Sequence, residues 1–216
     1  ALAINKDIEY VKLAYAEEGK TENSITDLHF KKIIISKKYF ETAFQKGDVN
    51  GKDIYSFEKN IFSLEDSFTG EKLIGKSYKP LFIYFENADI ENKENIWKIW
   101  HADFITEDAG TGIAHEAPAF GAEDMDLAKT NNIPIIKHIK MDGTFISTVT
   151  DFAGMKVKVA GDSQSADIEI IKWLAHNGKL FEKHKIIHSY PLCWRCKTPL
   201  LNYATSSWFI DVPKIK

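Results

Sequence analysis

Hydrophobic positions in this chain fall mostly into short runs rather than long helical stripes. Ile33-Ile34-Ile35, Leu81-Phe82-Ile83-Tyr84-Phe85, the stretch 133–139 and the stretch 157–159 are rich in β-branched and aromatic residues and bounded by turn formers. Each predicts a strand. Asn50-Gly51, Thr69-Gly70 and Asp142-Gly143 punctuate them. Asp142-Gly143, set between Ile139 and Phe145, predicts a hairpin. Three helices follow from 3.6-residue spacing. The first begins after Ser36 and puts Phe40, Ala43 and Phe44 on one face. The second covers roughly 122–129. The third carries Ile168, Ile171, Leu174 and Ala175, with Gly178 placed where a helix ends. From about Ser189 the pattern changes, with Pro191, Pro199, Cys193, Cys196 and Trp208. That stretch reads as a connector. The pattern is β-rich with a few helices, and it shows no internal repeat.

Composition narrows the function. The chain has 216 residues, 44% of them hydrophobic, so it can bury a real core. Its net charge is −3, which speaks against a general duplex binder, whose surface is usually basic. A module that receives only the end of one strand needs fewer cations and more aromatic and polar pocket chemistry. Lys31, Lys32, Lys37, Lys38, Lys183 and Lys185 read as solvated surface rather than phosphate contacts. No apolar stretch reaches membrane-spanning length, and no charged-then-apolar leader opens the chain. Ala1-Leu2-Ala3-Ile4-Asn5 reads as the interior of a longer protein. The two cysteines, Cys193 and Cys196, form one Cys-x-x-Cys. That spacing suits metal or redox chemistry better than a disulfide framework.

Residues 110–124 carry the candidate chemistry: Gly-Thr-Gly-Ile-Ala-His-Glu-Ala-Pro-Ala-Phe-Gly-Ala-Glu-Asp. Gly110, Thr111 and Gly112 make a turn that lets backbone approach a ligand closely. His115 presents an imidazole, Pro118 and Gly121 bend the chain, and Asp124 lies near the start of the second helix. Each feature alone has a plainer reading. Gly-Thr-Gly is commonly just a turn, a single His is commonly packed, and an Asp in a first helical turn commonly serves the helix dipole.

The ordered string resembles the editing-domain signature of isoleucyl-tRNA synthetases, in which Gly-Thr-Gly-Ile-x-His-x-Ala-Pro leads, nine residues after the His, to an Asp. Here these are Gly110 to Pro118 and Asp124. Valyl and leucyl relatives share the Gly-Thr-Gly start and the later Asp but typically carry Lys or Met in place of His115. Further family-like blocks are Leu73 to Phe85 and His188-Ser189-Tyr190-Pro191-x-Cys-Trp-Arg-Cys, continuing through Thr198-Pro199-Leu200 to Ser207-Trp208-Phe209. Ala1 to Tyr10 resembles the stretch that follows the family's threonine-rich segment, which is expected to lie before Ala1. The resemblance implies a β-barrel-like α+β editing domain of the class I (Val/Ile/Leu) synthetases over 1–188. A connector over 189–216 is expected to lead back to the catalytic domain.

The activity so implied is proofreading. One methylene changes binding by only about 1–3 kcal/mol, a limit for which isoleucyl-tRNA synthetases are themselves the usual illustration. A second, hydrolytic site then removes misattached valine. By resemblance, Asp124 accepts hydrogen bonds from the amino acid's α-ammonium group, and His115 shapes the side-chain pocket against isoleucine. Gly110, Thr111 and Gly112 would bind the ester or terminal adenosine. No Ser or Cys nucleophile with a His partner stands out, so water is the expected attacker. The expected partners are the tRNA(Ile) acceptor end, the mischarged valine and the rest of a monomeric cytoplasmic synthetase, with no membrane. Cys193 and Cys196 supply half of a four-ligand zinc site. His184 and His188 could in principle complete it but sit unusually close in sequence, and the resemblance instead puts a second Cys pair upstream, outside this chain. No cofactor is expected in this chain itself; zinc, ATP and Mg belong to the parent enzyme. Competing readings are a valyl or leucyl editing domain, a non-catalytic tRNA-binding insertion, and, less well matched, a redox protein.

Overall fold

The computed structural model describes residues 1–15, 31–108, 110–162, 164–185, 189–208 and 210–215. The chain clusters into two compact units, Ala1–Tyr78 with Trp97–Glu116 and Lys79–Ile96 with Ala117–Lys216. Residues 189–216 thus group with 79–96 and 117–188.

The first unit contains β1 (Leu2–Ile4), β2 (Glu9–Tyr15), β3 (Lys31–Ser36), α1 (Lys37–Ala43), β4 (Gln45–Val49), β5 (Lys52–Phe57), β6 (Asn60–Thr69), β7 (Ile99–His101) and β8 (Ile113–His115). An antiparallel sheet runs in the order β3-β2-β6-β5-β4. In β2, Val11, Leu13 and Tyr15 share one face and pack with Ile35, Phe62, Phe40 and Phe44, while Tyr10 and Ala14 are buried on the other. Each such buried side chain contributes about 1.5–3 kcal/mol. Ser36 ends β3 and caps α1, its hydroxyl accepting the Tyr39 N–H at 3.2 Å. The short helix then delivers Phe40 and Phe44 to the core, and the Phe44 ring stacks on Phe57 with centroids 4.6 Å apart. Asn50 and Gly51 both have positive φ, 55° and 76°, the backbone a two-residue hairpin between β4 and β5 demands. The class is α+β, as expected. Among the described residues, however, β3 and β4 do not pair to close the sheet into a barrel.

A second, three-stranded sheet has β1 in the centre, parallel to β7 and antiparallel to β8. Ile4, Tyr10 and Leu73 form its core with Ile8, Ile34, Phe68, Ile99 and Ile113.

The second unit holds α2 (Ala122–Thr130), α3 (Ser165–His176) and the short α4 (Val212–Ile215), joined by extended and turned chain. Its core is Ile139, Phe145, Val149, Phe152 and Ala166, ringed by Phe82, Tyr84, Phe85, Phe120 and Trp173. The Asp142-Gly143 hairpin is present. Ile139 bridges Phe145, and Gly143 has a φ of 80°.

Three strand expectations fail here. Residues 81–85 fold into turns, with Glu86 N–H donating to the Ile83 carbonyl, and their rings enter the aromatic core. Residues 133–139 and 157–159 form only isolated bridges. Pro134 has no N–H for a ladder. In these runs, β-type side chains found burial without a partner strand, which is what β-propensity largely measures.

All three helices form where expected, but α3 buries a different stripe. Ala166, Ile170 and Trp173 face the core, while Ile168 is 46% exposed. An indole buries roughly 150–250 Å², more than an isoleucine side chain, so docking Trp173 on Phe82 at 4.7 Å sets the helix rotation.

His138 gives this unit a pH dependence. Burial holds its pKa below the ordinary imidazole range, partly opposed by a hydrogen bond with Ile136, and its ring lies 4.8 Å from that of Phe120. The unfolded chain takes up its proton at higher pH than the folded one. Stability is therefore complete above the ordinary imidazole range and falls as pH drops through it toward the lower folded value. The urea midpoint should decline as pH falls below the ordinary imidazole range, and His138→Gln should flatten that decline. Equal slopes for both proteins would exclude His138 as the source.

Candidate functional site

In the first unit the Gly110-Thr111-Gly112 turn is locked onto two earlier parts of the chain. The Thr111 carbonyl accepts the Ser36 N–H at 2.8 Å, so one residue caps α1 and pins the turn. The Gly112 carbonyl accepts the Tyr10 hydroxyl at 2.7 Å. Burial, with some help from the Glu107 charge and against the Asn5 N–H, pushes the Tyr10 pKa up to about 12. The phenol thus remains a neutral donor. Gly112 has a φ of 72°, and a Cβ there would lie 2.7 Å from Ser36 Cβ. Only glycine meets both conditions. Gly110 and Thr111 are exposed. The turn feeds directly into β8, where Ala114 pairs with Ala3 and His115 with Leu2. His115 therefore ends β8 as an exposed residue, and the neighbouring Glu116 is buried at 3% exposure.

In the second unit Asp124 occupies the third position of α2, after Gly121 at its start. Its side chain folds back over the preceding turn. Asp124 Oδ2 accepts the Ala117 N–H at 2.7 Å, and a Cβ on Gly121 would meet Oδ1 at 2.6 Å. Glycine at 121 is what lets the carboxylate lie there. The half-exposed acid serves the helix dipole, its plainer reading, and is also held in one fixed direction. A cleft of about 490 Å³ lined by Ile90, Asn92, Ala128, Lys129, Asn132 and Pro134 opens at the other end of α2, away from Asp124.

With this geometry in place, comparison with known proteins is direct. No family model matches the chain. The isoleucine–tRNA ligase of Bdellovibrio bacteriovorus is 36% identical over 217 residues, covering 100% of this chain and 18% of that protein. That of Treponema denticola is 36% identical over 222 residues, and the cytoplasmic isoleucine–tRNA ligase of Schizosaccharomyces pombe 34% over 220, with the same coverage. This chain is a relative of the isoleucine–tRNA ligases. It spans 18% of the length of these relatives. The crystal structure of GlLeuRS-CP1 resembles it at a TM-score of 0.46 and 15% identity, over 88% of this chain and 78% of that one. A likeness that distant decides nothing about the fold.

In this ligase relative Cys193 and Cys196 sit on a tight turn of the second unit. Cys193 N–H donates to the Thr198 carbonyl and Lys197 N–H to the Cys193 carbonyl, both at 2.9 Å. Cys196 Sγ lies 3.0 Å from the Thr198 hydroxyl, whose hydrogen bond is the main reason its pKa falls to about 7. Two accessible thiols on one turn fit half of a tetrahedral zinc set. Among the described residues no three His, Cys, Asp or Glu side chains gather to hold a metal. His184 is paired with Glu182 at 2.8 Å, and His188 lies outside the described residues. Trp208 is fully exposed. No helix among the described residues is long and apolar enough to cross a membrane.

Sequence reasoning missed the supports: Tyr10, Ser36, Ala117 and Phe120. Tyr10 lies 102 residues before Gly112 and Ser36 75 before Thr111, and no local pattern links such distant positions.

Proposed function

We propose that this chain is the proofreading domain of an isoleucyl-tRNA synthetase, a hydrolase that releases valine from Val-tRNA(Ile). The observation that carries the reading is similarity to isoleucine–tRNA ligases over 100% of the chain. Asp124 anchors the α-ammonium group through charge-assisted hydrogen bonds. Oδ2 is steadied by Ala117, so the anchor is oriented before substrate arrives. Water adds to the ester carbonyl, the bond to the ribose oxygen breaks, and that oxygen leaves as the hydroxyl of the terminal adenosine. The proton comes from the attacking water, and valine departs as the free amino acid. Alignment of water and ester supplies the rate, since the ester is already activated. His115 sets specificity by blocking the longer branch of isoleucine, and the Gly110-Thr111-Gly112 turn holds the ester end of the substrate.

The partners are the acceptor end of tRNA(Ile) and the remainder of the synthetase, working as a monomer in the cytoplasm. Relatives from Schizosaccharomyces pombe and Dictyostelium discoideum are named as cytoplasmic. ATP and Mg serve amino-acid activation elsewhere in the synthetase. Cys193 and Cys196 would supply two ligands to a zinc site of the parent enzyme, and the remainder of the synthetase, outside this chain, the others.

The test is deacylation by the intact synthetase of Val-tRNA(Ile), Thr-tRNA(Val) and a mischarged tRNA(Leu). Hydrolysis of the first alone is expected; preference for either other substrate would reassign the domain to a valyl or leucyl enzyme. His115→Ala should make the enzyme hydrolyse its own Ile-tRNA(Ile), by roughly the 10–200-fold that one methylene commands. Intact Ile-tRNA(Ile) with that variant would remove His115 from the specificity role.

A further inference from the structure

The carboxylate read as the amine anchor is tied to a turn that is itself gripped from the far end of the chain. Residues 117–121 form that turn. Its first N–H, on Ala117, donates to Asp124 Oδ2 at 2.7 Å, and its last residue, Gly121, lies directly against Oδ1. Between these two points the Phe120 N–H donates to the Ala117 carbonyl at 2.8 Å, closing the turn on itself. The middle is held by residues more than eighty positions later. Ala204 N–H donates to the Ala119 carbonyl at 2.8 Å. The Tyr203 ring meets Phe120 edge-on at 5.8 Å, and its hydroxyl donates to the Ile139 carbonyl at 3.0 Å. Lys137 Nζ lies over the Tyr203 ring at 5.4 Å, and the His138 ring meets Phe120 edge-on at 4.8 Å.

Neighbouring residues of the same late stretch do nothing comparable. Thr205, Ser206, Ser207 and Trp208 are all exposed. Tyr203 and Ala204 are where 201–208 is fastened, and the fastening lands on the turn that aims Asp124.

We propose that Tyr203 is a positioning residue for the Asp124 anchor, acting through Phe120 and the 117–121 turn. This rests on the reading of Asp124 as the group that holds the substrate amine. The edge-on ring fixes Phe120, the Ala204–Ala119 hydrogen bond fixes the turn's midpoint, and together they keep the Ala117 N–H directed at Oδ2. With the ring gone, the turn gains freedom and the carboxylate loses its fixed direction. Substrate still finds a negative charge but is held in the wrong orientation, so kcat suffers more than KM. The stretch that runs on from Tyr203 thereby couples to the editing chemistry without touching substrate.

The experiment uses the intact synthetase with Tyr203→Leu, which keeps apolar bulk but removes the ring, and Tyr203→Phe, which keeps the ring and loses only the hydroxyl. Two quantities are read: deacylation of Val-tRNA(Ile), and amide hydrogen exchange of peptides covering 115–121. Tyr203→Leu should lower kcat about tenfold with KM changed less than twofold, and should speed exchange at Ala117 about tenfold. Tyr203→Phe should restore both nearly to normal. Slower hydrolysis with unchanged exchange, faster exchange with unchanged hydrolysis, or no change in either overturns the proposal, as does equal damage by Phe. Unchanged aminoacylation and melting temperature in the same samples separate positioning from unfolding. Asp124→Asn, assayed alongside, isolates the parent reading. If it leaves hydrolysis intact, the anchor assignment falls, whereas a silent Tyr203→Leu beside a crippled Asp124→Asn sinks only the positioning role.

Discussion

Asp124→Asn should lower hydrolysis of Val-tRNA(Ile) by the intact synthetase about a hundredfold while leaving aminoacylation unchanged. A hydrogen bond to a charged group is worth about 1.5–3 kcal/mol, and 1.4 kcal/mol is tenfold in rate, so binding alone accounts for ten- to hundredfold. Misorientation of the ester adds to that and moves the expectation to the upper end. Asparagine is the informative choice because its amide oxygen can still accept the Ala117 N–H that Asp124 takes at 2.7 Å. What it loses for the fold is the charge at the start of α2, about 0.3–1 kcal/mol. Asp124→Ala would also strand the Ala117 donor and confuse the two effects. The measurement is single-turnover deacylation of pre-charged Val-tRNA(Ile). A rate within twofold of the unsubstituted enzyme would falsify the anchor role.

The second large effect is on stability. Gly112→Ala should cost about 2–5 kcal/mol and lower the melting temperature by roughly 4–20 °C. Two costs combine. An L-residue in the left-handed region costs about 1–2 kcal/mol, and Gly112 has a φ of 72°. The new methyl group also lies 2.7 Å from Ser36 Cβ, a backbone-anchored atom that yields only if β3 or the start of α1 shifts. Such overpacking typically costs about 1–3 kcal/mol. The same shift should disturb the Ser36 N–H to Thr111 carbonyl bond and the Tyr10 hydroxyl bond to Gly112, moving the turn that precedes His115. Ser36→Gly added to Gly112→Ala should recover part of the loss, since it removes the atom struck; a double variant no better than the single would show that the backbone conformation alone carries the cost. Gly110→Ala is the contrast, because it meets nothing within 4 Å and pays only for its φ of 63°.

Much of this protein could be read along the chain, and the parts that could share one property. Helix starts, helix ends and tight turns depend on residues a few positions apart. Ser36 caps α1, Gly178 ends α3 with a φ of 61°, and Asn50-Gly51 and Asp142-Gly143 turn where their backbone freedom allows. The order Gly110-Thr111-Gly112, His115, Asp124 likewise named the candidate residues without coordinates, although their roles remain those the family resemblance implies. Pairing was not legible in this way. Residues 81–85 and 133–139 have the composition of strands but no edge to join, while β4, with its Lys, Gly and Asp, became one because β5 lay beside it.

The sequence by itself determined where the chain turns, where its helices begin, and which ordered set of residues marks it as a relative of the isoleucine–tRNA ligases, because each of these is encoded within a few neighbouring positions. Tertiary structure alone decided which stripe of α3 is buried, which runs find a partner strand, and that Tyr10, Ser36 and Tyr203 brace the two segments carrying the candidate site. Those choices compare the burial of one large ring with another, or join groups far apart in sequence, and such energies exist only once the distant parts have met.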